Sequence, residues 1–258
     1  SAPRLDAMRR FAMLTILFAL MMYVAALVLF IGVGVKIRRY WLTPAPLKIP
    51  TTPAPTTQAG VTWRLFKEVV CFESLFKASK WTWIFGWLFH AAMLVVVLGH
   101  IRYFVETVWH WVALIQGIGK YATLGMLLGL TGLWLRRLLV DRVRYISAPS
   151  DHLMLALLVA IAATGFGMRT VAPVDIVALK TFVLGVMQFD WQPVPTDPLL
   201  LLHLILVVAL AIVFPFSKLL HAPGVFFSPT LNQADNSREL RHVTPWASVT
   251  PAKGHSDG

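Results

Sequence analysis

The chain has 258 residues, of which 57% are hydrophobic and only 14% charged, and it carries a formal net charge of +11. Its apolar residues gather into long runs instead of alternating with polar ones, which excludes a soluble globular domain and indicates a polytopic membrane protein. The basic residues sit in loops beside those runs rather than on one soluble face, so they report topology and argue against a nucleic-acid partner.

The first predicted element is the run Phe11–Val35, 25 residues without a charged side chain, where roughly 20 suffice to cross the hydrocarbon core. Arg4, Arg9 and Arg10 precede it like the n-region of a signal peptide, but no small-residue cleavage site follows Leu29, so it reads as an uncleaved span. The stretch TPAPLKIPTTPAPTTQAG (43–60) is rich in Pro and Thr and reads as an extended, polyproline-like strap. From Val61 to Lys80, Trp63, Phe66, Val69, Val70 and Phe76 recur at helical spacing opposite charged residues. One amphipathic helix is expected there, lying on the membrane interface or docking a partner subunit.

The second span is Trp81–Ile101, and the third is Tyr121–Leu135 with Arg136 and Arg137 snorkelling at its end. The fourth is Leu153–Met168 and the fifth Leu199–Phe216. Residues 171–189 carry Asp175 and Lys180 and are placed on the outer interface, not across the membrane. The segment from Ser228 onward is polar with scattered Pro and is expected to be irregular unless a partner holds it. The organisation is therefore 1–35 (N-terminus and first span), 36–80 (strap and interfacial helix), 81–221 (helical core) and 222–258 (tail). The fold class is an all-α membrane helical bundle with interfacial amphipathic helices. The single cysteine, Cys71, rules out a disulfide within the chain and a cysteine-ligated iron–sulfur cluster.

Sidedness follows from the loops. Lys36–Lys80, the RRLLVDRVRY stretch and the residues from Lys218 onward hold 16 of the 23 Lys and Arg. With five spans, that bias places these segments in the cytoplasm, the N-terminus outside and the C-terminus inside.

Four histidines carry the chemistry. A lone histidine on an apolar helix is more often a hydrogen-bonded packing residue than a ligand, but the second span carries His90 and His100 and the last apolar segment carries His203 and His221. Intramembrane ionisable residues default to function. The two helices run antiparallel, so His100 shares the depth of His203 toward the outer side, and His90 that of His221 toward the inner side. Ten residues of helix rise about 15 Å and eighteen about 27 Å, a mismatch of about 12 Å for tilt and a porphyrin to absorb, with Pro215 able to kink the second helix; eighteen residues make five whole turns, returning His221 to the face of His203. Two imidazoles from facing helices are what a six-coordinate b-type haem needs. No C-x-x-C-H is present, which excludes covalent haem. Gly86, Gly99, Gly125, Gly129 and Gly132 would admit a flat ring or serve helix packing. His110, His152, His242 and His255 have no evident partners in the sequence, and His152 beside Asp151 reads as a cap and interfacial anchor.

The pattern FHxxxxxxxxGH, followed later by LLHL and FPFSKLLH, resembles the dihaem cytochrome b subunits of respiratory nitrate reductase, the NarI-like family. That resemblance implies one haem between His100 and His203 and one between His90 and His221. TPAPLKIPTTPAPTT, ESLFK, LVDRVRYISAPSDHLMLALL, FDWQPVPTDPLLLLHL and FPFSKLLHAPGVFFSPTLNQ are similar, more specifically, to the DsrM family of membrane cytochromes in Dsr sulfur-metabolism complexes. This second resemblance implies a cytoplasmic iron–sulfur partner similar to heterodisulfide reductase (DsrK), through it the sulfur carrier DsrC, and further partners similar to DsrJ, DsrO and DsrP.

The expected function is electron exchange between a membrane quinone, menaquinone or ubiquinone, and that soluble partner. The chain would be the quinone-reactive subunit of an oxidoreductase complex in a bacterial cytoplasmic membrane, inactive alone on the soluble substrate. Quinone candidates are Lys120, twenty residues past His100 as in the nitrate reductase family and equally readable as an interfacial anchor, and Arg102 beside the outer haem, which reads more as a propionate partner or an interface charge. Two alternatives remain: a nitrate reductase gamma-type quinol oxidant, and a haem-free scaffold or transporter, which would need a polar path that the spans do not show.

Overall fold

The computed structural model describes residues 2–44 and 50–235. The chain divides into one unit of residues 1–36 and 71–220 and a second of 37–70 and 221–258. The described residues form helices and turns without a strand. Five helical segments are long and apolar enough to cross a membrane: Phe11–Leu42, Lys80–Tyr103, His110–Leu139, Pro149–Thr170 and Pro198–Phe216. The protein is thus an all-α, multi-pass membrane bundle.

Local chemistry sets the helix ends. Helix α1 (Ala2–Leu42) is continuous through its apolar run and leaves Met13, Leu20, Leu27 and Phe30 exposed, as a lipid-facing helix must. Helix α2 (Gln58–Cys71) is separated from α3 (Glu73–Ala78) by Phe72, which adopts a left-handed φ of 53°. The single amphipathic helix expected over Val61–Lys80 is therefore two helices, because one left-handed residue ends the hydrogen-bond ladder. Ser79 caps α4 (Lys80–His100) by accepting the Thr82 N–H. Helix α5 (His110–Leu139) begins eleven residues before the apolar run anticipated at Tyr121 and leads into the short α6 (Asp141–Ile146). Pro149 opens α7 (Pro149–Thr170), and the Asp151 carboxylate accepts the Ala148 N–H at 3.1 Å.

Asp175 caps α8 (Ile176–Gln188) through the Val177 and Ala178 N–H groups. At 13 residues, α8 is too short to cross, in agreement with its placement outside the hydrocarbon. Helix α9 (Pro198–Val213) stops one residue before the Phe214–Phe216 3₁₀ turn, and the chain then runs in turns to residue 222. Pro215 has no N–H to give and disfavours helical backbone before it, so the five-turn spacing from His203 to His221 does not exist. The straight-helix separation of about 27 Å falls with it.

Within the first unit, backbone approaches are close for α4 with α5, α5 with α7, and α7 with α9, but α4 and α9 do not approach each other in that way. One core joins Phe89, Met126, Leu130 and Leu158 from α4, α5 and α7. Another seats Phe18 and Ala19 of α1 against Phe182, Val186 and Leu200. Gly129 lets α5 meet α4, since a Cβ there would lie 2.8 Å from the Phe85 carbonyl and from Phe89. Gly125 and Gly132 face α4 in the same way, so of the two roles open to these glycines, the structure shows helix packing.

In the second unit the strap and the segment after His221 hold each other. Thr51 donates to the Thr230 carbonyl at 2.9 Å, Asp235 donates to Pro55 at 2.8 Å, and Arg64 donates to Thr51 at 3.0 Å. Tyr40 and Trp41 lie against Phe227. Residues 228–235, expected to be irregular, are non-helical but tied down; residues 236–258, with His242 and His255, lie outside the described residues.

Candidate functional site

His100 ends α4 and His203 lies on the sixth residue of α9. His203 is buried, and His100 is exposed on the isolated chain. Their helices are bridged by α5 and α7 rather than packed backbone to backbone. Gly165 of α7 faces the His203 ring, where a Cβ would come to 3.4 Å of Cε1. Separated α4 and α9 backbones and a bare glycine beside the His203 ring are the features that would suit a flat group held by these histidines.

The hydrogen bonds fix which nitrogen can bind a metal. Nδ1 of His90 lies 2.7 Å from the Gly86 carbonyl, and Nδ1 of His100 lies 2.7 Å from the Val96 carbonyl. A carbonyl only accepts, so each Nδ1 carries the proton and each Nε2 carries the lone pair. His203 reaches the same state by a different route. Its Nδ1 lies 2.8 Å from the Thr164 hydroxyl, whose one proton is directed to the Ala160 and Ile161 carbonyls at 2.8 and 3.0 Å. With the hydroxyl proton on a carbonyl, the oxygen accepts from Nδ1–H and Nε2 carries the lone pair. Haem irons take that nitrogen, and the bond at Nδ1 orients the ring and raises its basicity.

His152 is set the other way. The Trp134 indole N–H donates to its Nδ1 at 3.1 Å, leaving the proton on Nε2 of the neutral ring. Its neighbour Asp151 does more than cap: it is buried, pairs with Lys218 at 2.8 Å and with Arg137 at 3.5 Å, and ties α5 and α7 to the segment after α9. Arg137, anticipated to snorkel, also donates to the Ser147 hydroxyl at 2.9 Å and is held inside this cluster.

The remaining candidates are spread. His221 opens the second unit's C-terminal segment, where its carbonyl accepts the Gly224 N–H at 3.1 Å. His110 is the first residue of α5. Lys120 lies within α5, eleven residues along and exposed, rather than at the helix entrance. Arg102 follows His100 in a 3₁₀ turn and donates to the Gln116 side chain at 3.1 Å. Two participants at this end of the bundle escaped the sequence reading: Gln116, and Arg169 of α7, which donates to the Gln116 carbonyl. Thr164 escaped it too, since a mid-helix threonine carries no signal until its partner 39 residues away is in place.

A helical membrane bundle with histidines inside its apolar helices has the parts of an integral-membrane cytochrome. The sequence model of the nitrate reductase gamma subunit family matches residues 59–232. The Hdr-like menaquinol oxidoreductase cytochrome b-like subunit of Archaeoglobus fulgidus is 33% identical over 87% of this chain and 81% of its own length. Its namesake from Archaeoglobus profundus is 31% identical over 89% of this chain and 82% of its own length. The chain belongs to the nitrate reductase gamma subunit family of NarI-like, cytochrome-b-type membrane subunits.

Proposed function

We propose that the chain is a dihaem b-type cytochrome that exchanges electrons between a membrane quinone and a soluble iron–sulfur partner. His100 and His203 hold one haem, and His90 and His221 hold the other. The observation that carries the reading is that His90 and His100 each set Nδ1 against a backbone carbonyl one turn back, the tautomer whose Nε2 lone pair a haem iron takes, with His203 held at Nδ1 by Thr164. The haems supply one-electron carriers within the hydrocarbon layer. The chain's own residues hold the rings in register, exclude water with Phe89, Leu158 and their neighbours, and present Lys120 as the hydrogen-bond donor for a quinone carbonyl.

The relatives' printed names favour menaquinol as the lipid substrate and an Hdr-like complex as the setting. Together with the strap and tail motifs, this supports a DsrM-like role in dissimilatory sulfur metabolism. The cytoplasmic partner is then DsrK-like, with DsrC beyond it, and the other subunits are similar to DsrJ, DsrO and DsrP. The loop charges put the strap and C-terminus in the cytoplasm and the N-terminus outside the cytoplasmic membrane. A nitrate reductase gamma role is the second reading, favoured by the family match over residues 59–232, although that match leaves out the residues before 59.

The test is haem content. A pyridine haemochrome assay on the purified full chain should find two protohaems per chain with a low-spin bis-histidine spectrum, and His203→Ala should retain one. One haem in the unaltered chain removes the dihaem reading, and none leaves the haem-free scaffold.

A further inference from the structure

We propose that Arg102 and Arg169, brought together over Gln116, form an anion cradle that takes the carboxylate edge of the haem between His100 and His203. The inference rests on the haem reading above. Arg102 lies two residues past His100, at the end of α4, and Arg169 lies in the last turn of α7. Gln116 of α5 joins them: its side-chain oxygen accepts from Arg102, its amide donates to the Gly99 carbonyl at 2.8 Å, and its backbone carbonyl accepts from Arg169. The Arg169 guanidinium lies over Gly119, where a Cβ would meet it at 2.7 Å, so α5 is bare where that cation crosses it.

Two observations call for an anion. The Nε of Arg102 is buried and has no hydrogen-bond partner, and neither arginine is in an ion pair among the described residues. A buried N–H without an acceptor costs about 1–3 kcal/mol, and two guanidiniums gathered at the end of an apolar bundle repel each other. An oxyanion answers both, because each guanidinium offers a planar fork that matches a carboxylate.

Position selects which oxyanion. The Tyr103 ring lies 5.8 Å from the His100 ring, and the Arg102 guanidinium carbon lies 5.8 Å from the centre of the same tyrosine ring. Both guanidiniums therefore gather on Gln116 beside the proposed ligand His100, where the carboxylate edge of a haem held by that ring would come within their reach. A phospholipid phosphate has the same chemistry, and the lipid that co-purifies separates the two sources in the test below.

Redox titration of the full chain in detergent, with both haems followed optically, tests the cradle. The haem of the His100–His203 pair is identified as the one lost in His203→Ala. A cation near the iron favours the less positive, reduced state. Arg169→Gln, Arg102→Gln and the double variant should each lower that haem's midpoint potential, the double most, and leave the other haem unmoved. Selective loss of that one haem in Arg102→Gln supports the cradle equally. If Arg102→Gln loses both haems, Arg169→Gln, an exposed position, decides. Unchanged potentials with less phospholipid co-purifying would assign the site to lipid and overturn the proposal, as would unchanged potentials alone. Absence of haem from the unaltered chain is a different failure, that of the haem reading itself.

Discussion

At the scale of single residues, the proton on a ring nitrogen separates a proposed ligand from an anchor. His90 and His100 spend Nδ1 on the carbonyl one turn back in their own helix, which any helical histidine can do. His203 spends it on a hydroxyl from another helix, so its orientation depends on Thr164. Thr164→Val removes the acceptor at a cost of about 0.5–1.5 kcal/mol in ring orientation. It also weakens the electron donation that a hydrogen bond at Nδ1 lends to Nε2. The ferric state then loses support, so the midpoint of that haem should rise and Thr164→Ser should restore it, the opposite sign to the arginine variants. A midpoint that Thr164→Val leaves in place would make the hydroxyl a packing detail. The histidines were legible because charge-bearing groups stand out in apolar runs. Thr164 and Arg169 were not, since a threonine inside a span and an arginine at a span's end are ordinary, and their partners lie 39 and 53 residues away.

At the scale of helices, apolar length gave the spans and backbone chemistry gave their ends. The runs Phe11–Val35 and Trp81–Ile101 could be read because composition alone decides that a segment enters lipid. The break at Phe72 could not, because a left-handed phenylalanine has no sequence signature comparable to glycine. Pro215 was visible, but a proline in a membrane helix can kink it or end it, and only the structure shows that α9 ends. Helix pairing turns on small residues, and α5 offers a contrast of sign. Gly129→Ala places a methyl against the Phe85 carbonyl and the Phe89 backbone, which cannot withdraw, and should destabilise the chain by about 1–3 kcal/mol. Gly117→Ala meets nothing within 4 Å and should gain up to about 1 kcal/mol of helix propensity. Thermal unfolding in detergent reads both, and two shifts of the same sign would remove the packing role given to Gly129.

At the scale of the whole molecule, the question is which iron faces which partner. The second unit contains the end of α1, the strap, α2 and the residues from His221 onward. Two of the three segments assigned to the cytoplasm by charge thus fall largely in this unit, and one of them carries a proposed ligand of the inner haem. If the soluble partner docks there and quinone reacts near Lys120, electrons pass through both irons. With one iron missing, the remaining gap approaches the ~30 Å of the hydrocarbon core, too wide for catalytic transfer. His221→Ala in the intact complex should therefore leave an outer haem that a quinol analogue still reduces but that no longer equilibrates with the reduced partner. His203→Ala should do the reverse, leaving an inner haem that follows the partner and ignores quinol. Haem reduction, followed optically from each donor in turn, reads all four combinations. If His221→Ala alone abolishes quinol-driven reduction of the surviving haem, quinone reacts on the cytoplasmic side. Lys120 then loses its role, and the route runs from the inner haem outward.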